Sequence, residues 1–197
     1  VVVCWGYPDH KAAAHDSVVF DEIDNTYQAA RYLLELGHRE IGLYIPGARR
    51  PYEPRVRGLR SALRERNTDL REEWLFSTPE LYDEGGARMA QRFLDLKSRP
   101  SALCIVNEYA ASAFVNEIQR RGWRVPDDIS LVSHDDAPVA RFCAVPLTTV
   151  SHPVEDIANQ VVRLLRERLE NDYGGPARQI TIKGQLVVRD SSRSYLA

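Results

Sequence analysis

Short runs of β-branched residues alternate along this sequence with longer stretches whose apolar residues recur with the period of a helix. In the first such stretch Tyr27, Ala30 and Leu34 share one face, and Gly37 follows where a helix is expected to end. The pattern predicts strands at residues 1–5, 17–20, 41–45, 73–77, 102–106, 129–133, 179–182 and 185–188, with helices at 25–36, 55–66, 84–96, 108–121 and 154–169. Because strands and helices alternate, we expect an α/β fold in which parallel sheets are flanked by helices on both faces.

Composition and charge are typical of a soluble globular protein. The 197 residues are 44% hydrophobic and 27% charged, and the formal net charge of -2 creates no field that would attract a polyanion. Direct nucleic-acid binding by this segment is therefore not expected. Three cysteines (Cys4, Cys104 and Cys143) make an odd number without metal-ligand spacing, which predicts reduced thiols in a cytoplasmic protein, with no metal or cofactor. No apolar stretch approaches the roughly 20 residues that span a bilayer.

Polar and aromatic side chains follow the carboxyl ends of several β-branched runs. They are Trp5, Asp21, Glu22, the loop 48–55, Asn107, Asp135, Asp136 and His152. Loops and helix amino ends converge at this edge of a parallel sheet, so the arrangement predicts a ligand pocket. Each residue also has a structural alternative: Asp21 and Asn107 as helix caps, Trp5 as a core residue, and His152 as a loop residue. Their coincidence at one edge favours the pocket.

The sequence lacks the common signatures of an enzyme. We find no glycine-rich phosphate loop, no nucleophile elbow and no histidine or cysteine cluster with metal spacing. Asp135 and Asp136 could serve as a carboxylate pair, but adjacent residues on a strand point to opposite faces. The pattern therefore predicts binding without catalytic residues. An enzyme that uses Asp135 and His152 is the alternative that this reasoning leaves open.

Four segments resemble bacterial transcription regulators of the lactose-repressor family. They are YLLELGHREIGLYIPG (residues 32–47), RVRGLRSAL (55–63), the block from residue 99 to 153 that includes IVNEYAASA and PLTTVSHP, and QLVVRDSS (185–192). Leu59 stands where the family pattern has phenylalanine. Together the segments extend over essentially the whole chain, which is identified as a member of this family on these motifs.

The resemblance implies a two-lobed, periplasmic-binding-protein-like fold with an incomplete first lobe. Residues 1–98 would form mainly lobe one and the crossover into lobe two, and residues 99–197 mainly lobe two with the closing strands. The amino-terminal helix-turn-helix domain of the family is expected to be absent from this chain. We therefore expect the ligand-sensing and dimerisation domain of a cytoplasmic DNA-binding regulator, a repressor, with no membrane contact.

The resemblance also implies the partners of such a regulator. They are a small-molecule effector, a second copy of the chain in a homodimer, and operator DNA bound through the missing domain. A sugar is the favoured effector and a purine-like compound the alternative. A solute-binding protein of a transport system shares the fold and is the alternative function.

The family pattern also implies the effector-binding residues. These are Arg55 at the cleft arginine, Asn107 at the cleft asparagine, Asp135 at the hydroxyl-binding aspartate, Trp5 in VVVCWG at an aromatic position of the purine-repressor branch, His152 where glutamine is usual, and Leu81 or Tyr82 near an aromatic position, of which we choose Tyr82. Trp5 and Arg55 would come from lobe one, and Asn107 and Asp135 from lobe two.

The sequence also departs from the family pattern near these positions. Glu108 replaces the usual aspartate, and Ser133 and His134 replace a glycine and an aromatic residue. The loop before Arg55 is shorter than in the family pattern, so neither Arg49 nor Arg50 is assigned a ligand contact.

Overall fold

A computed structural model describes residues 2–4, 15–47, 52–170 and 173–195, with only the backbone described at 2–4. In these ranges the strands form two sheets. Their bounds are β1 Val2–Cys4, β2 Ser17–Phe20, β3 Ile41–Pro46, β4 Leu75–Thr78, β5 Ala102–Ile105, β6 Ser130–Asp135, β7 Thr148–Ser151, β8 Gln179–Ile182 and β9 Gln185–Val187. The small sheet has the order β1-β2-β8 and the large sheet the order β4-β3-β5-β6-β7-β9. All pairs are parallel except β7 with β9.

The helices lie where the apolar periodicity predicts them, with small shifts at their ends. Their bounds are α1 Glu22–Glu35, α2 Glu53–Arg64, α3 Tyr82–Asp95, α4 Glu108–Arg120, α5 Val139–Phe142 and α6 Val154–Leu169. Helix α1 begins three residues earlier than predicted because the Asp21 carboxylate caps it by accepting a hydrogen bond from the Asp24 amide. The single turn α5 is too short to show an apolar period, so no such pattern predicts it.

The helices cover the sheets as layers. Helices α1 and α2 pack against each other, as do α3 and α4, and both pairs contact the large sheet. The chain moves outward from β3 to β4 and then back past β3 to β5, so right-handed crossovers place α2 and α3 on opposite faces. Helix α6 covers the small sheet by packing Ile157 and Leu164 against Val18 and Phe20. The expected α/β fold with flanked parallel sheets is confirmed.

The chain changes sheet at points other than those expected from the sequence. The family resemblance implies a passage between lobes near residue 98, but β3 and β4 pair into the same sheet as β5 to β7. The first change comes between β2 and β3, and α6 with β8 returns to the small sheet before β9 rejoins the large one. Arg55 was expected in a different lobe from Asn107 and Asp135. Because α2 connects β3 and β4, Arg55 instead belongs with the large sheet, as Asn107 and Asp135 do. A strand's local pattern does not show which sheet it joins, because pairing is a long-range contact.

Candidate functional site

The carboxyl ends of strands from both sheets bring a group of polar side chains together. We call this group, Glu22, Arg55, His134, Asp135 and His152, the strand-end cluster. Glu22 follows β2 of the small sheet, whereas His134, Asp135 and His152 lie at the ends of β6 and β7 in the large sheet. All except Asp135 are buried.

Glu22 and Arg55 form a buried ion pair within the strand-end cluster. Nη2 of Arg55 donates to Oε1 of Glu22 at 2.8 Å, and the two residues are 7% and 6% exposed. Burial raises the pKa of Glu22, and the neighbouring guanidinium opposes that rise. Gly58 makes the pairing possible because a Cβ there would lie 2.2 Å from the Ile23 carbonyl oxygen, and α2 could not approach α1 so closely.

His152 links the two sheets. Its ring stacks on Phe20 of the small sheet, with centroids 3.8 Å apart and planes 19° from parallel. Its Nδ1 lies 3.1 Å from Oδ1 of Asp135 in the large sheet. Burial lowers the pKa of His152 to about 4, and the positive charge of Arg55 acts in the same direction, while Asp135 acts against it. His152 is therefore neutral at neutral pH.

His134 is a second buried imidazole in the cluster. It is fully enclosed on β6, and its Nε2 lies 3.4 Å from the hydroxyl of Thr26 on α1. Burial, followed by the charge of Arg55 and the neighbouring His152, holds the pKa of His134 well below its usual value. With both imidazoles neutral, Arg55 carries the positive charge of the strand-end cluster.

The loop that carries Asp135 has an unusual backbone. Asp135 and Asp136 adopt φ values of +102° and +60°, a region of backbone conformation that residues other than glycine rarely occupy. Glu108 holds this loop: its carboxylate accepts from the Asp136 amide at 2.6 Å and the Ala137 amide at 3.1 Å. It also accepts from the Thr149 hydroxyl at 2.9 Å. Burial, with a smaller contribution from the Asp135 charge, raises the pKa of Glu108 to about 7.

Asp135 and Asp136 do not act as a carboxylate pair. Asp136 binds Arg189 at 2.5 Å and Arg141 at 3.3 Å, whereas Asp135 faces His152. The side chain of Asp135 is 25% exposed and borders an open pocket of about 570 Å³. Arg141, His152 and the first turn of α6 also line this pocket. The arrangement can bind hydrogen-bonding groups of a ligand through one carboxylate and the surrounding polar atoms.

The other predicted ligand residues have different positions. Oδ1 of Asn107 accepts from the Ala110 amide at 3.1 Å, so this oxygen caps α4. Tyr82 begins α3, is 54% exposed, and contacts Tyr109 edge to face with ring centroids 6.0 Å apart. Trp5, Arg49 and Arg50 lie outside the described residues, and their roles stay predictions.

Four residues that the structure brings to this edge are not among the effector-binding residues assigned from the family pattern. They are Phe20, Glu22, Tyr52 and His134. Tyr52 is half-buried, burial raises its pKa, and the charges of Arg55, Glu22 and Asp135 all act on it. Glu22 was visible as a strand-end acid, but only its burial distinguishes it from an ordinary acid in the first turn of a helix.

The described residues contain neither a candidate metal site nor a candidate membrane span. No group of three or more histidine, cysteine, aspartate or glutamate side chains could hold a metal ion in that part of the chain. No helix there combines the length and the apolar character needed to cross a bilayer.

A comparison with protein families matches residues 30–192 to a periplasmic binding protein-like domain. The HTH-type transcriptional repressor PurR of Mannheimia succiniciproducens is 31% identical over 194 residues, which are 97% of this chain and 56% of the repressor. The chain therefore spans little more than half the length of the curated relatives it matches.

Solved structures show the same relationship. A LacI-type transcription regulator from Bifidobacterium animalis subsp. lactis has a TM-score of 0.86 and 30% identity, over 96% of this chain and 71% of the regulator. The transcriptional regulator CelR, solved with cellobiose, has a TM-score of 0.84 and 26% identity, over 96% of this chain and 58% of CelR.

Proposed function

The chain belongs to the periplasmic binding protein-like family, within its LacI-type transcription regulators, and from this premise we propose that it senses an effector for a DNA-binding repressor. One observation carries the proposal: the strand-end cluster lies where the large sheet meets the small sheet, with His152 of the large sheet stacked on Phe20 of the small one. A ligand that contacts both parts binds one arrangement of them better than another. Such a difference in affinity is what allows an effector to act on a distant DNA-binding segment.

A sugar is the effector class that we propose. CelR was solved with cellobiose, and Asp135 offers a partly exposed carboxylate that can accept hydrogen bonds from hydroxyl groups. In this proposal the effector also contacts the other predicted ligand residues, which are Arg55, Asn107, His152, Tyr82 and Trp5. Purine-like compounds form the second class to be tested.

The partners and location follow from the same premise. The relatives are named as transcription regulators, which does not favour the alternative of a solute-binding protein for transport. We propose that the whole protein works in the cytoplasm as a homodimer, whose two-fold symmetry matches paired half-sites in its operator. Operator DNA would contact a part of the protein outside these 197 residues.

The test uses the full-length regulator. Calorimetry with mono- and disaccharides, cellobiose included, and with purine bases should identify a compound that binds with one site per chain. The same compound should change operator affinity in a gel-shift titration by roughly five- to 150-fold, the usual range of allosteric coupling. Binding without any change in operator affinity, or no binding by either class, would count against the proposed function.

A further inference from the structure

Glu22 and Arg55 each have one hydrogen-bonding atom without a partner among the described residues. These atoms are Oε2 of Glu22 and Nη1 of Arg55, although both side chains are more than nine-tenths buried. The ion pair itself uses the other oxygen and the other terminal nitrogen. A buried polar atom without a partner destabilises the protein, so a ligand that forms hydrogen bonds with both atoms removes that cost.

The unpartnered atoms have complementary chemistry. Nη1 of Arg55 can only donate a hydrogen bond, and an ionised Glu22 oxygen can only accept one. A hydroxyl group can do both, accepting from the guanidinium and donating to the carboxylate. A phosphate or carboxylate could bind the guanidinium, but it would meet the Glu22 oxygen with a like charge.

The charges around Arg55 act against an anionic ligand. A buried arginine alone is a good receptor for phosphate or carboxylate groups. Here Glu22 compensates its charge at 2.8 Å, the neighbouring Asp135 adds a second carboxylate, and His134 and His152 are neutral. The cluster therefore has no surplus positive charge with which to bind an anion.

We infer that Glu22 determines specificity: together with Arg55 it forms a donor and acceptor pair that binds an uncharged, hydroxyl-bearing effector and excludes phosphorylated or acidic ones. This inference rests on the proposed function and narrows its ligand class. It concerns Glu22, a residue that the family pattern did not assign as a ligand contact.

Inorganic phosphate tests the charge argument without knowledge of the effector. Binding to the full chain is measured by calorimetry and by the NMR shift of the Arg55 side-chain Nε–H, at constant ionic strength and mildly alkaline pH. We expect no saturable phosphate binding by the wild type. Glu22→Gln should show saturable phosphate binding, at least about tenfold tighter than the detection limit set by the wild type, because the substitution leaves Arg55 without its compensating charge.

Glu35→Gln is the matched control. It removes the same charge from an exposed site on the same helix, where Glu35 pairs with Arg31, and it should bind phosphate no better than the wild type. Saturable phosphate binding by the wild type with a shift at Arg55 would overturn the inference, as would a folded Glu22→Gln variant that gains no phosphate affinity.

A second variant covers the case in which Glu22→Gln does not fold. Glu22→Asp keeps the charge and should exclude phosphate as the wild type does, so phosphate binding by this variant or by the wild type overturns the inference. These outcomes are distinct from failure of the proposed function, which concerns effector binding and a change in operator affinity.

Discussion

Two buried carboxylates, Asp16 and Glu22, flank the two ends of strand β2 and differ in how many hydrogen bonds they accept. Before the strand, Asp16 accepts from Nε and Nη2 of Arg168 at 3.0 and 2.8 Å, and from the amide and Nη2 of Arg178 at 2.8 and 3.0 Å. After the strand, Glu22 accepts from a single Arg55 nitrogen and leaves one oxygen without a partner.

The pKa values of the two groups move in opposite directions for this reason. Hydrogen bonds from Arg168, followed by those from Arg178, hold the pKa of Asp16 far below its usual range in spite of burial. Burial dominates at Glu22 and raises its pKa. Asp16 joins β2 to α6 and β8, and its hydrogen-bonding capacity is used within the protein. Glu22 retains one carboxylate oxygen that can accept a hydrogen bond from a ligand.

Replacing Asp16 should have the largest effect on stability. Asp16→Asn removes the charge that two arginines share, and breaking such a buried pair costs about 3 to 4 kcal/mol of unfolding free energy. Urea denaturation measures this loss, with exposed Asp95→Asn as the control. Effector affinity should change less than about twofold. A large loss of affinity in the folded variant would show that the two ends of β2 do not differ in role.

Glu108 should make stability depend on pH. Its folded-state pKa of about 7 lies above the ordinary glutamate value of 4.5, so its stabilising contribution is present below pH 4.5 and is lost as the pH rises through 7. The unfolding free energy of the wild type, relative to Glu108→Gln, should fall by about 2 to 3 kcal/mol across this window.

The comparison with Glu108→Gln is necessary because His134 and His152 have lowered pKa values and raise stability with pH over an overlapping range. Denaturation curves at a series of pH values provide the measurement, and Glu35→Gln serves as the control for loss of a glutamate. A difference curve that stays flat between pH 4.5 and 7 would contradict the raised pKa of Glu108.

Asp135→Asn should separate binding from stability. The side chain is a quarter exposed and its loop is held by Glu108, so the cost in stability should stay below about 1 kcal/mol. Loss of a charge-assisted hydrogen bond should weaken effector binding by about 1.5 to 2 kcal/mol, at least about tenfold. Calorimetry with the effector identified on the wild type checks this, and Asp190→Asn at an exposed position should bind normally. Unchanged affinity would remove Asp135 from the site.

Much of the fold could be predicted because its signals are local. The period of the apolar residues predicted α6 at 154–169, where the structure has Val154–Leu169, and the strand at 179–182, where it has Gln179–Ile182. The side chains of Asp21 and Asn107 cap the next helix, which local sequence patterns had suggested. The family resemblance added the two-lobed fold and the choice of Arg55, Asp135 and His152, whose ligand roles stay predictions.

The amino-acid sequence by itself determined the helices, the strands and the edge at which polar residues collect, because these depend on neighbours within a few residues. Tertiary structure alone decided that Glu22 meets Arg55 thirty-three positions away, and that His152 stacks on Phe20 of the other sheet. It also decided which sheet β3 joins. These contacts arise from the packing of α1 on α2 and from the crossing of the chain between sheets. The pairing of distant segments depends on the shapes of both, which no local period encodes.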